Sequence, residues 1–337
     1  MVLRKGGNAP RSRPMCGRTH EGSFYPCRVE SLVKSALSFY LILLLCALCI
    51  FPVFSQEKST ALSDTARWAS TVNEQYWIQP DITYGVANNY TLKLDVWQRT
   101  NQTTAAPTLI YYHGGGWIFG DRTGATLLFM PFLEMGWNVI NVEYRMASVS
   151  LAPAAVEDCR CALRWAIRNA KQYNIDVNRI VLTGHSAGGH LSLITGMLPD
   201  GTGLDNNCDG TEKLKVAAII NWYGISDVAD LIQGPNERNY AAMWMGSQRD
   251  PLTIAKRVSP LTYVRAGLPP ILSIHGDADP VVPYEHSVRL HKALAEAGVP
   301  NELVTIKGGG HGQFKDAELE DAYRKIRAFL HSHGLLP

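Results

Sequence analysis

Hydrophobic positions along the chain fall into short runs with two different spacings. Residues 91–97 (Thr-Leu-Lys-Leu-Asp-Val-Trp) alternate with period two, the pattern of a half-buried strand. Residues 108–112, 138–142, 179–183, 216–222, 270–274 and 302–306 are short apolar runs of strand length. Between them the spacing becomes helical. Pro153 opens a helix predicted to reach about Tyr173, with Ala155, Cys159, Ala162, Leu163 and Ala166 on one face. Further helices are predicted over 187–197, 284–297 and 316–333. Continuous apolar strands alternating with helices imply a mostly parallel central sheet with helices on both faces, an α/β class. Residues 225–265 are mixed in pattern and rich in Trp and Met, and are expected to form a lid or pocket wall. No repeat and no interdomain linker interrupts the series.

The N-terminal end differs. Residues 36–54 read ALSFYLILLLCALCIFPVF, too uniformly apolar for an amphipathic helix. Seven basic and two acidic residues lie in the first 55, so the remainder is mildly acidic although the whole chain carries +2. The expected organisation is a leader or signal peptide over 1–55, an N-terminal arm over 56–80 and a catalytic domain over 81–337. The expected location is secreted or periplasmic. The alternative is a membrane anchor formed by residues 36–54, the only membrane contact foreseen. An acidic globular part has no basic field for nucleic acid. Oligomeric state leaves no trace in the sequence. Of seven cysteines, Cys16, Cys27, Cys46 and Cys49 fall in the leader, leaving Cys159, Cys161 and Cys208. Three is odd, so no disulfide framework is expected, and at most one bridge involves Cys208. No Cys/His spacing suggests a metal, and no cofactor is expected. Asn89 and Asn101 stand in glycan-acceptor patterns.

The chemistry is concentrated in four loops. Gly184-His185-Ser186-Ala187-Gly188 matches G-x-S-x-G between a predicted strand and a predicted helix, where small neighbours permit a sharp turn that lifts the serine hydroxyl out of the sheet. His113-Gly-Gly-Gly-Trp117 follows the strand at 108–112, and its glycines allow N–H groups to point inward at an oxyanion, together with the N–H of Ala187. His113 is read as a brace for that loop. A nucleophile needs a base and an orienting carboxylate. His311, in the loop after the strand at 302–306, is the candidate base. His185, His190, His286 and His291 are read as structural or surface residues, and His331 and His333 lie in the tail. In His275-Gly-Asp-Ala-Asp-Pro280, Asp277 and Asp279 compete. Asp279 is preferred because it lies later in the loop and before Pro280, leaving Asp277 to cap the turn. Trp117, Trp222, Tyr223, Met243, Trp244 and Met245 could line a pocket, but at least half of them are expected in the core.

These four segments, in this order, resemble the hormone-sensitive-lipase-like esterases of the α/β-hydrolase fold, and most closely the bifunctional feruloyl and acetylxylan esterase branch. Val142-Glu-Tyr-Arg145 also resembles that family's strand ending. The resemblance covers roughly residues 80–333. It implies a catalytic triad of Ser186, Asp279 and His311, an oxyanion hole of Gly115, Gly116 and Ala187, no cofactor, and small acyl or polysaccharide esters as substrates. Many lipase-like members carry Asp where this chain has His185. Only about 35 residues separate the leader from the strand at 91–97, which leaves little or no cap domain. Both differences favour small esters over lipids. Three rivals stand beside this reading: a prolyl-oligopeptidase-like peptidase, for which the chain lacks an extra domain; an arylformamidase, which fits poorly with export; and an inactive hydrolase fold used for adhesion, which would not need every triad position filled.

Overall fold

The computed structural model describes residues 62–336. Each predicted strand is present, usually one to four residues longer at one end or both. In chain order the strands are β1 (Tyr76–Ala87), β2 (Tyr90–Arg99), β3 (Ala106–Tyr112), β4 (Asn138–Val142), β5 (Ile175–His185), β6 (Ala218–Trp222), β7 (Ile271–Gly276) and β8 (Asn301–Ile306). They form one sheet in the order β1-β2-β4-β3-β5-β6-β7-β8. The pairs β1/β2 and β2/β4 are antiparallel and all others are parallel. The helices are α1 (Asp64–Gln75), α2 (Met130–Glu134), α3 (Ala154–Arg168), α4 (Ala187–Met197), α5 (Asn239–Met245), α6 (Pro251–Arg257), α7 (Glu285–Glu296) and α8 (Asp316–Ser332).

Strand β3 shows why the central strands read as unbroken apolar runs. Leu109 and Tyr111 point to one face, packing in a core with α8 and Phe132 of α2, whereas Ile110 and Tyr112 point to the other, against α3 and α4. Side chains alternate across a strand, so burial on both faces leaves no polar position. The sheet is an α/β-hydrolase sheet with helices on both faces.

One boundary differs from expectation: residues 63–80, expected in an N-terminal arm outside a domain over 81–337, belong to the folded unit. Trp68 and Val72 of α1 and Ile78 of β1 pack on the same core as α8, so a boundary at 81 would cut β1. Strand β1 escaped the alternation test because its register with β2 shifts between Gln79 and Ile82, where Pro80 and the left-handed Asp81 sit. Proline and a bulge are tolerated at a sheet edge, and together they erase period two. The three cysteines left open by the sequence are resolved: Cys161 is bridged to Cys208, within the expected limit of one bridge involving Cys208, and Cys159 is free and buried. Residues two apart on a helix face different ways, so Cys159 enters the core while Cys161 meets the loop that carries Cys208. The leader over 1–55 and the anchor proposed for 36–54 lie outside the described residues. Among those described, no helix is long and apolar enough to cross a membrane.

Candidate active site

The turn from β5 to α4 sets the site. Ser186 has φ 56° and ψ −118°, a conformation that strains any residue with a Cβ. It is held there by its N–H, which donates to Trp222 O at 2.9 Å, and by the close approach of flanking glycines. A Cβ on Gly188 would lie 2.0 Å from Tyr112 O, and one on Gly184 would lie 2.3 Å from the same oxygen. Glycine at these two positions lets α4 start against β3, which puts the helix N-terminus and its partial positive charge beside the serine.

The loops after β7 and β8 bring the other two residues to it. His311 Nε2 is 2.9 Å from Ser186 Oγ, and His311 Nδ1 is 2.7 Å from Asp279 Oδ2. The Asp279 side chain is fully buried, whereas that of His311 is 20% exposed. Burial alone would raise the Asp279 pKa, but hydrogen bonds from His275 and His311, with help from the Val282 N–H, outweigh it and hold the carboxyl well below its ordinary range. The carboxylate accepts four bonds. Val281 N and Val282 N donate to Oδ1 at 2.7 and 3.0 Å, and His275 Nε2 approaches Oδ2 at 3.2 Å beside His311. The competing residue, Asp277, is exposed and accepts from Gly308 N, capping the turn after β8.

The glycine loop after β3 lies beside the serine. Gly115 (φ 115°) and Gly116 (φ 60°) both line the pocket, and the N–H groups of Ile118 and Phe119 close a turn on Gly115 O at 3.1 Å. The N–H groups of Gly115, Gly116 and Ala187 donate to no acceptor among the described residues. His113 is buried, stacks on Tyr144 at 4.3 Å, and bonds Gly114 O through Nδ1.

The segment 225–265 forms a wall of the pocket. Tyr240 of α5 lines it, while Trp244 one turn on stacks on Trp117 at 4.1 Å. Trp117 is left-handed (φ 62°) and fully buried, and its Nε1 donates to His190 Nδ1 at 3.2 Å. His190 Nε2 in turn donates to Val258 O at 2.7 Å. Burial lowers the His190 pKa to about 4, which keeps the ring neutral and able to accept.

The pocket has a volume of about 380 Å³, and its side-chain lining includes Phe119, His185, Tyr223, Tyr240 and Val281 beside the serine and His311. Of the six residues singled out as possible liners, only Tyr223 lines it. Trp117, Trp222, Trp244 and Met245 are core, and Met243 is exposed. His185 bonds Tyr111 but also lines the pocket, so it is neither purely structural nor a surface residue. His190, His286 and His291 are buried. Phe119, Tyr240 and Val281 carry no sequence signal, whereas His275, four residues before Asp279 at a strand end, could have been found by asking what fills the other side of that carboxylate.

A sequence profile for BD-FAE matches residues 94–294. The chain belongs to the BD-FAE family. That span contains the glycine loop, Ser186 and Asp279, while His311 lies beyond it, so the place of His311 in the site rests on geometry. Esterase LipQ of Mycobacterium tuberculosis is 30% identical over 230 residues, covering 65% of this chain and 53% of the relative. This BD-FAE chain therefore spans about half the length of the curated relatives it matches. A truncated carbohydrate esterase from gut microbiota superposes with a TM-score of 0.65 at 29% identity, covering 76% of this chain and 97% of that one. The propionate-bound esterase 2 of Thermogutta terrifontis superposes with a TM-score of 0.65 at 25% identity, covering 78% and 96%.

Proposed function

We propose that the chain is a serine carboxylic-ester hydrolase acting on small acyl esters and carbohydrate esters of the acetylxylan and feruloyl type. One observation carries the reading: the continuous hydrogen-bonded line from Asp279 through His311 to Ser186, beside a loop in which the N–H groups of Gly115 and Gly116 meet no acceptor among the described residues. In the proposed reaction Ser186 Oγ attacks the ester carbonyl while His311 Nε2 takes its proton. Asp279 fixes the tautomer in which Nδ1 carries hydrogen, and stabilises the imidazolium. The carbonyl oxygen becomes an oxyanion opposite the N–H groups of Gly115, Gly116 and Ala187, each such donor being worth roughly 3–4 kcal/mol at the transition state. His311 returns the proton to the leaving alcohol. Water then attacks the acyl-enzyme by the same route and releases the acid. Membership in BD-FAE, the esterase relatives and the carbohydrate-esterase neighbour support this reading.

Export is part of the proposal. The Cys161–Cys208 bridge supports it, because structural disulfides persist in oxidising compartments. The test is release of acetate from acetylated xylan, and of ferulate from feruloylated xylan, by the full chain with Ser186→Ala beside it. Release by the wild type alone is expected. No release by a folded wild type would overturn the carbohydrate assignment, and equal release by the variant would overturn the serine mechanism.

A further inference from the structure

Two polar groups on residues that line this pocket have no hydrogen-bond partner among the described residues. The first is the Tyr223 hydroxyl. Tyr223 is only 8% exposed, lines the pocket, and holds a left-handed φ of 40° that its N–H secures by donating to Ile274 O at 2.8 Å. A Cβ on Gly312 would lie 2.3 Å from its Oη, so the hydroxyl lies against the residue that follows His311. The Tyr223 ring meets His311 edge-on at 4.6 Å. Among the described residues this hydroxyl forms no hydrogen bond, although a nearly buried phenol ordinarily finds one.

The second group is Nε2 of His185. Tyr111 is 1% exposed, and its hydroxyl has one partner, His185 Nδ1 at 2.8 Å. A buried O–H needs an acceptor, so Tyr111 donates to Nδ1 and the ring hydrogen sits on Nε2. Burial and the nearby His311 lower the His185 pKa to about 3, so the ring is neutral and this tautomer is the working form. The ring is stacked on Trp222 at 5.1 Å and lies 5.6 Å from the Tyr223 ring. Its Nε2 meets no acceptor among the described residues, yet it is not sealed from solvent. The rest of the side-chain wall offers no comparable donor: Phe119 and Val281 are apolar, and the Tyr240 hydroxyl already donates to Val281 O at 3.2 Å.

We propose that Tyr223 Oη and His185 Nε2 are a pair of specificity-determining donors that bind an oxygen of the substrate beside the scissile ester. The preferred substrates are then esters with a neighbouring hydroxyl or ether oxygen, as on a sugar ring or other polyol. Tyr223 lines the pocket with a left-handed φ, the kind of backbone strain that is kept at functional sites. A site built to hydrogen-bond an oxygen discriminates against the analogue lacking it, because its own donors are left unpaired. This inference rests on the ester-hydrolase reading.

The test uses isosteric esters that differ by one CH2→O exchange, assayed by pH-stat with the full chain. 2-Methoxyethyl acetate against butyl acetate places the oxygen in the alcohol half. Methyl methoxyacetate against methyl butanoate places it in the acyl half. Each kcat/KM is divided by the hydroxide-catalysed rate of the same ester to remove intrinsic reactivity. The wild type is expected to favour the oxygen-bearing ester about tenfold in one pair, which also assigns the half of the substrate that is read. In Tyr223→Phe, which keeps the ring, and in His185→Phe, the ratio should fall towards one. Because the ratio is internal to each variant, a uniform loss of activity cancels, and melting curves verify folding. Hydrolysis of all four esters with no preference, or a preference unchanged in both variants, would overturn the pair. Hydrolysis of none by folded wild type would overturn the ester-hydrolase reading as well.

Discussion

Asp279→Asn changes one atom and asks the most of the proposed mechanism. In the native site Oδ1 faces two backbone N–H groups and Oδ2 faces two imidazoles. The backbone donors cannot change, so the asparagine carbonyl stays with Val281 and Val282, and its NH2 turns to the histidines. His275 can adjust, because its Nδ1 can donate to Ser287 Oγ 2.7 Å away. His311 cannot adjust without cost. An NH2 facing Nδ1 forces the hydrogen onto Nε2, which then points a proton at Ser186 and cannot accept one. The wrong tautomer costs a triad enzyme about 10⁴ in kcat, or about 5.5 kcal/mol at 1.36 kcal/mol per decade. The assay is steady-state hydrolysis of a chromogenic acetate ester by the full chain, with Asp277→Asn as its pair. Asp277 holds a turn through Gly308 N and should lose less than about threefold. Retention of more than a tenth of kcat in Asp279→Asn, or collapse in Asp277→Asn instead, would refute the reasoning, provided that both variants melt near the wild type.

Four other outcomes follow from the same contacts. An organophosphate such as paraoxon should add one covalent mass to Ser186, seen by peptide mass spectrometry and absent in Ser186→Ala. Gly188→Ala should destabilise by about 4 kcal/mol or more, since its Cβ would lie 2.0 Å from Tyr112 O, and denaturant unfolding would register it. Cys208→Ser should cost about 4 kcal/mol for a bridge spanning 47 residues, lowering Tm by about 8–16 °C, and a reductant should do the same. Between pH 6.5 and about 4 the unfolded chain binds protons that buried His185, His190 and His286 refuse, because their folded pKa values are lowered to about 3, 4 and 4. Stability therefore falls as pH drops through that window, by up to about 1.4 kcal/mol per pH unit for each ring. Thermal melts at pH 7 and pH 5 check the sign.

Much of this architecture was legible from spacing alone. Central strands such as β3 and β4 announce themselves because both faces are buried. The edge strand β1 did not, since Pro80 and Asp81 break its alternation. The elbow at Ser186 and the loop at Gly115 and Gly116 were readable because close backbone approach and left-handed φ leave glycine as a visible trace. The pocket wall was not, since Phe119, Tyr240 and Val281 are common residues brought together only by tertiary folding. Cysteine parity pointed away from a disulfide framework and could not name the pair. The choice of Cys161 over Cys159 depends on which side of α3 meets the loop at Cys208.

The order of the sheet also gives the site a timetable. Ser186 and His311 stand 125 residues apart, and β6, β7 and β8 must be laid down one after another before the second loop can reach the first. At ribosomal rates of about 5–20 residues per second, the proposed nucleophile is made roughly 6–25 s before its proposed base. During that interval the elbow serine lacks its proposed proton acceptor, and until Trp222 has been made the serine N–H also lacks the carbonyl that holds the turn. Under the proposed mechanism, hydrolysis of a reporter ester becomes a readout of chain completion: it should appear only when the last strand has docked, and a ribosome-stalled chain ending before β8 should be silent.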